Sequence, residues 1–109
     1  MNEFSQSRRL LKKTDYDHVF HQAKKMVSPH FIFLYRDNAI DHARLGLALS
    51  KKVIAKAHDR SRIKRLIRET FRVTHRLPAM DVIVLARSGV AKAQNSELIE
   101  GLQRIWSTL

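Results

Sequence analysis

The stretch KKVIAKAHDRSRIKRLIRETFR, residues 51–72, joins a helical apolar pattern to a concentration of positive charge. From about residue 60 its apolar side chains recur with the 3.6-residue period of an α-helix. This arc holds Ile63, Leu66, Ile67, Thr70, Phe71 and Thr74. The opposite arc holds Ser61, Arg62, Lys64, Arg65, Arg68 and Arg72. The pattern predicts an amphipathic helix, capped by Asp59, that buries its apolar half against a sheet.

Upstream of this segment, the sequence predicts one helix and two strands. Apolar spacing behind Thr14, a candidate N-cap, predicts a first helix over residues 15–25. Residues 30–36 and 44–50 have strand character, and the turn-forming residues between them predict an antiparallel hairpin. In the second strand Gly46 and Ala48 share a face of small side chains, opposite a face of leucines. The small face leaves room for a ligand or, equally well, for a close-packed helix.

Downstream, the run VIVLA, residues 82–86, is typical of a strand buried on both faces. Leucines and Trp106 at helical spacing then predict a last helix, capped by Asn95 or Ser96. The predicted order is helix, strand, strand, helix, strand, helix. It indicates an α+β sandwich with one mixed sheet, in which the basic helix connects two parallel strands. We expect one domain over residues 1–109, with a basic, flexible arm over residues 1–13.

The formal net charge of +11 favours a polyanionic partner. Residues 51–72 hold nine Lys or Arg and two acids, which gives +7 in about one-fifth of the chain. Such clustering opposes compact folding unless a polyanion neutralises it, and nucleic acid is the commonest candidate. The alternative is a solvated surface that serves solubility alone, but solubility does not require the charges to be clustered. An anionic membrane surface is a further alternative, weakened by the absence of a bulky aromatic stripe beside the charges.

The chain has no cysteine, which excludes disulfides, thiolate metal sites and cysteine nucleophiles. Its N-terminal residues lack the apolar run of a secretory signal, and no window is apolar enough to span a membrane. We therefore expect a soluble, cytoplasmic protein.

Five stretches resemble the bacterial ribonuclease P protein component in one consistent order along nearly the whole chain. They are RLLKKTDYDHVF, RLGLALSKK, SKKVIAKAHDRSRIKRLIRETFR, LPAMDVIVLAR and LIEGLQRIW. The core of that family's signature reads Arg-Asn-Arg, an apolar residue, Lys-Arg, two further residues and Arg-Glu. The chain departs from it at Ser61, which stands in place of the central Asn and puts any amide contact or metal coordination there in doubt.

The resemblance implies a protein subunit that assists a catalytic RNA in removing the 5′ leader from precursor tRNA, an endonucleolytic hydrolysis that depends on Mg²⁺ bound mainly by the RNA. It implies no catalytic residue in the protein, no small-molecule substrate, no membrane partner and a left-handed strand–helix–strand crossover. The residues implied to bind the catalytic RNA are Arg60, Ser61, Arg62, Lys64, Arg65, Arg68 and Arg72. Those implied to line a cleft for the single-stranded leader are Tyr16, Phe20, Ile32, Leu34, Gly46 and Ala48. Further phosphate contacts are expected from Arg8, Arg9, Lys12, Lys13, Lys51 and Lys52.

Two other function classes stay open at the level of sequence. One is a non-catalytic RNA-binding protein of another assembly, such as a ribosomal protein. The other is a metal-dependent nuclease, which needs clustered carboxylates or paired histidines. The acids are scattered along the chain, and His18 and His21, one helical turn apart, make a weak metal site by themselves.

Overall fold

The computed structural model describes residues 8–10, 12–74 and 77–109, arranged as three helices and one four-stranded sheet. The helices and strands, in chain order, are α1 (Lys13–His21), β1 (Lys24–Val27), β2 (Phe31–Asp37), β3 (Arg44–Ala48), α2 (Ala57–Arg72), β4 (Met80–Ala86) and α3 (Asn95–Thr108). A short 3-10 turn, Val90–Lys92, precedes α3. The predicted α+β class and mixed sheet are confirmed.

The sheet has the order β1-β2-β4-β3. β4 pairs antiparallel with β2 and parallel with β3, so α2 connects two adjacent parallel strands as predicted. The handedness of this crossover stays a prediction. Val82, Ile83 and Val84 are fully buried, which confirms that this strand is covered on both faces.

The predicted hairpin between residues 30–36 and 44–50 is wrong, because β4 lies between these two strands. An apolar strand such as β4 removes the most apolar surface from water when it takes a central position in the sheet. The connection after β2 is accordingly a loop, in which the Asn38 amide donates to the His42 carbonyl at 3.1 Å. The turn-forming residues do reverse the chain here, but they form a loop and do not join a pair of adjacent strands.

The hairpin forms one step earlier, between β1 and β2, where the sequence predicted the end of a helix. The turn is held by Ser28, whose hydroxyl accepts from the Phe31 N–H and whose own N–H donates to the Phe31 carbonyl. Pro29 lies in this turn, and α1 has already ended at His21. The predicted helix over residues 15–25 is therefore too long, and the predicted order lacks β1.

The three predicted helix caps are also displaced. The N-cap positions are Lys12, Lys56 and Gln94, so that Thr14, Asp59 and Asn95 each lie inside the first turn. Asp59 still places a carboxylate in the first turn of α2, where it interacts favourably with the helix N-terminus.

The main core lies between one sheet face and the helices α2 and α3. Phe33 and Phe71 each meet the Trp106 ring edge-on at 5.5 Å between centroids. The Trp106 indole N–H donates to the Thr70 hydroxyl at 2.9 Å, which satisfies a buried donor. The other sheet face carries α1, whose Val19 packs on Ile83 and Leu10 in a second, smaller core.

Candidate nucleic-acid interface

The apolar arc of α2 is buried as predicted, and this fixes its cationic arc toward solvent. Ile63, Ile67 and Phe71 are fully buried against the sheet and α3. The opposite side forms an open concavity of about 460 Å³. Its lining residues are Ser61, Lys64, Arg65, Arg68, Glu69 and Arg72. Guanidinium and ammonium groups spaced one turn apart suit a polyphosphate backbone, and Glu69 is the one acid among these lining residues.

Arg60 and Arg62, the first two arginines of the signature, contact protein carbonyls instead. The Arg60 guanidinium donates to the carbonyls of Ile54 and Ala55, at 2.8 and 3.0 Å, in the turn before α2. The Arg62 guanidinium donates to the Ala91 carbonyl at 2.9 Å. Of the first three signature positions, residues 60–62, only Ser61 lines the concavity.

The predicted cleft residues lie on the sheet face that carries α1. The Tyr16 ring lies directly over Gly46, where an added Cβ would come within 2.9 Å of ring carbons. The Tyr16 hydroxyl accepts from the Leu47 N–H at 3.1 Å, at the free edge of β3. The small face of β3 therefore accommodates an aromatic side chain of α1, which is the close-packed-helix alternative.

The remaining predicted cleft residues are more accessible than Gly46. Phe20 is 47% exposed at the end of α1, and Ile32, Leu34 and Ala48 are partly buried in the sheet beneath. The exposed Phe20 ring is a surface on which a base can stack.

One groove joins the cleft to the basic helix. This groove is a concavity of about 180 Å³ lined by Arg9, Leu10, Tyr16, Leu45, Leu47, Lys64 and Arg68. Lys64 and Arg68 line the α2 concavity as well. Tyr16 of the predicted leader cleft and Lys64 and Arg68 of the predicted catalytic-RNA surface thus line one groove.

A family model described as Ribonuclease P matches residues 4–109. The chain is 57% identical to the Ribonuclease P protein component of Legionella pneumophila (strain Corby), over all of this chain and 95% of the relative. It is 42% identical to that of Haemophilus influenzae (strain PittGG), over 94% of this chain and 87% of the relative.

This chain belongs to the ribonuclease P protein family. The solved RNase P proteins of Staphylococcus aureus and Thermotoga maritima superpose on it with TM-scores of 0.85 and 0.82, at 30% and 27% identity. The superpositions cover 93% of this chain in both cases, and 94% and 96% of the respective neighbours. The fold of this ribonuclease P protein is therefore the fold of those structures.

Sequence reasoning missed two residues on the cleft side of this ribonuclease P protein because no strand was predicted at β1, whose first two residues fell within the predicted helix over residues 15–25. Lys25 pairs with Leu34, and Val27 with Ile32, so both share the cleft face. Val27 is 51% exposed, and the Lys25 side chain is exposed as well. Pro29 and the β-branched Val27 were the available signals for a hairpin at this point.

The N-terminal basic residues differ in their surroundings. Arg8 donates to the Arg72 carbonyl at 3.2 Å and lies over the Phe71 ring, so it closes the C-terminal end of α2. Leu10 is buried, and its N–H donates to the Leu45 carbonyl at 2.9 Å. Residues 8–10 are therefore packed, contrary to the flexible arm predicted over residues 1–13; residues 1–7 and 11 lie outside the described part. Lys12 and Lys13, at the start of α1, are exposed, as are Lys51 and Lys52 before α2.

A partly buried ion pair within the sheet also contacts α1. The Arg44 guanidinium makes two hydrogen bonds to the Asp81 carboxylate, at 2.8 and 2.9 Å, and lies 3.8 Å from the Asp15 carboxylate of α1. The hydrogen bonds to Asp81 raise the pKa of Arg44, although partial burial acts in the opposite direction. Asp15 directly precedes Tyr16, so this network fixes the helix that carries the cleft aromatics.

The described part of the chain also bears on metal ligation and membrane insertion. Within it, no group of three or more His, Asp or Glu side chains is placed to hold a metal ion. His18 and His21 are exposed on α1. None of its helices is long and apolar enough to cross a membrane.

Proposed function

We propose that this protein is the RNA-binding subunit of ribonuclease P. The exposed arc of α2 binds the catalytic RNA, and the α1 side of the sheet binds the 5′ leader of precursor tRNA. The observation that carries the proposal is the groove lined by both Tyr16 and Arg68, because it places a base-stacking surface and a phosphate-binding surface side by side. A single RNA–protein complex can then engage both at once.

The protein acts by position and charge in this proposal. Cations on α2 neutralise phosphate repulsion where the catalytic RNA and substrate approach each other. Partly exposed apolar residues and Phe20 hold leader bases, which orients the scissile bond relative to the RNA. The catalytic RNA carries out the endonucleolytic hydrolysis.

The Mg²⁺ that such cleavage requires is assigned to the RNA. Mg²⁺ takes oxygen ligands, with one or two carboxylates at a protein site. The concavity on α2 offers a single carboxylate, Glu69, among four cations, and Ser61 replaces the family's Asn. The four neighbouring cations repel a divalent cation, so these residues do not fit a resident Mg²⁺ site. The protein's part in this proposal is to favour Mg²⁺ binding on the RNA by lowering phosphate repulsion.

The test is precursor-tRNA cleavage at low Mg²⁺ with protein alone, catalytic RNA alone and both together. We expect leader removal to rise only when protein is added to the RNA, and the gain to shrink as Mg²⁺ is raised. Cleavage by protein alone would indicate a protein nuclease. RNA binding without any gain in leader removal would indicate a subunit of another ribonucleoprotein.

A further inference from the structure

Arg62 joins α2 to the connection between β4 and α3. One guanidinium nitrogen donates to the Ala91 carbonyl at 2.9 Å, and the other to the Ala93 carbonyl at 3.5 Å and to the Asn95 side-chain oxygen. These acceptors surround the 3-10 turn Val90–Lys92 and the start of α3. The side chain is partly buried. Arg62 therefore has the surroundings of a brace between two segments of the protein.

Lys92 lies between the two residues whose carbonyls Arg62 holds. The turn is fixed on its other side by Val90, which is fully buried in the main core. Gly89 begins the turn with a positive φ of 88°, a conformation that glycine adopts without strain. With both neighbours anchored, the Lys92 backbone has little freedom.

The Lys92 side chain is exposed and, within the described residues, makes no hydrogen bond or ion pair. The turn that carries it packs against α2, the helix with the phosphate-binding arc. Near the start of α2, Arg60 and Arg62 both contact backbone carbonyls. Lys92 is an exposed cation on the adjacent turn. It extends the positive surface at the N-terminal end of α2, where the Arg60 and Arg62 guanidiniums bind the protein itself.

We propose that Lys92 contacts a phosphate of the catalytic RNA and that Arg62 is the positioning residue that holds Lys92 beside α2. This inference rests on the proposed function. It differs from the role that the resemblance implies for Arg62, because the guanidinium acts on the RNA through the turn it holds.

The proposal is tested by the salt dependence of binding to the catalytic RNA, measured for wild type, Lys92→Gln, Arg62→Gln and the double variant. Each phosphate contact contributes about one unit to the slope of log K against log salt. We expect Lys92→Gln to lower the slope by about one unit, and Arg62→Gln to lower it by no more than that. The double variant should lose about one unit in total, because both changes remove the same contact.

The control is Arg65→Gln, because Arg65 is exposed on the α2 concavity and acts independently in this proposal. Combined with Lys92→Gln, it should lower the slope by about two units in total. A two-unit loss in the Arg62/Lys92 double variant would overturn the proposal, since Arg62 would then contact a phosphate itself. An unchanged slope in Lys92→Gln would overturn it as well.

Thermal unfolding without RNA tests the brace separately. Arg62→Gln and Arg62→Lys should both lower the Tm by about 5 °C, since neither side chain reproduces the forked contact with Ala91, Ala93 and Asn95. Asn95→Ala should lower it less, and should add little on top of Arg62→Gln. If Arg62→Gln is too unstable for RNA binding, Asn95→Ala replaces it in the slope measurement. A Tm unchanged by all three variants would overturn the brace. If wild type binds the catalytic RNA without a steep salt dependence, the proposed function fails while the unfolding result still decides the role of Arg62.

Discussion

Arg44 and Asp81 face each other at paired positions of the parallel strands β3 and β4, joined by two hydrogen bonds of 2.8 and 2.9 Å. The Asp81 side chain is only 3% exposed, so its charge depends on this partner and on the Asn38 amide. We predict that Arg44→Met lowers the free energy of unfolding by about 3–5 kcal/mol, because it leaves a buried carboxylate unpaired. Urea unfolding measures the loss.

The double variant Arg44→Met/Asp81→Leu serves as the control for this pair. It removes both charges and keeps apolar volume, so it should recover much of the stability that Arg44→Met loses. A double variant less stable than either single variant would contradict the assignment of the loss to an unpaired buried charge.

The ionisation of Arg44 itself should not make its contribution to folding stability depend on pH near neutrality. Its pKa is raised in the folded state, chiefly by the hydrogen bonds to Asp81. A group with a raised folded pKa contributes stability that is fully present below its unfolded pKa and is lost only as the pH rises through the folded pKa. Both values lie far above neutrality for an arginine. The stability difference between wild type and Arg44→Met should therefore not fall as the pH rises from about 6 to about 9. A difference that falls across this range in urea unfolding would contradict the prediction.

The sequence predicted α2 well because a long helix with a sharp apolar arc leaves few alternatives. It also predicted that the leucines of β3 share one face and that Gly46 and Ala48 share the other, since alternation sets the faces of a strand whatever its neighbours are. The pairing of the strands could not be read in this way. Placing β4 between β2 and β3 depends on how the whole apolar surface is covered, and a short strand such as β1 follows a helical pattern too closely to be separated from it.

The candidate site was predictable as a set of residue types but not as a set of roles. Arg62 and Arg65 look alike in sequence, and both belong to the signature by resemblance. In the structure Arg62 contacts backbone carbonyls, whereas Arg65 lines an open concavity. The difference arises from the position of the β4–α3 connection, which lies about 30 residues further along the chain and leaves no mark on local periodicity.

Thr70 and Trp106 form a buried polar contact whose loss should be measurable. We predict that Thr70→Val lowers the free energy of unfolding by about 1–3 kcal/mol, because the shape is kept but the Trp106 N–H loses its acceptor. Thr74→Val is the matched control. Its hydroxyl donates to the Thr70 carbonyl from a partly buried position, where water can take its place, so the loss should be below about 1 kcal/mol. Equal losses in urea unfolding would contradict this account.

Gly46 provides a test of how α1 is seated on the sheet. An added methyl group would lie 2.9 Å from the Tyr16 ring and from the Leu10 side chain. We predict that Gly46→Ala displaces Tyr16, weakens its bond to the Leu47 N–H and costs about 1–3 kcal/mol in unfolding free energy. Gly101→Ala is the control, because its Cβ meets no atom within 4 Å in α3 and should stabilise the protein by about 1 kcal/mol. A Gly46→Ala variant as stable as wild type would show that Tyr16 does not depend on this close approach.

Phe20 tests the cleft assignment directly, because its ring is 47% exposed on α1, the helix that packs on the cleft face of the sheet. We predict that Phe20→Ala weakens binding of precursor tRNA with a leader to the protein–RNA complex by about tenfold, the loss of one stacked base. Binding of mature tRNA should not change, since it has no leader to stack. Val73→Ala is the matched control, because Val73 is similarly exposed at 48% but lies at the end of α2. It should leave both affinities as in wild type. Equal losses for precursor and mature tRNA in Phe20→Ala would exclude a leader contact at this residue.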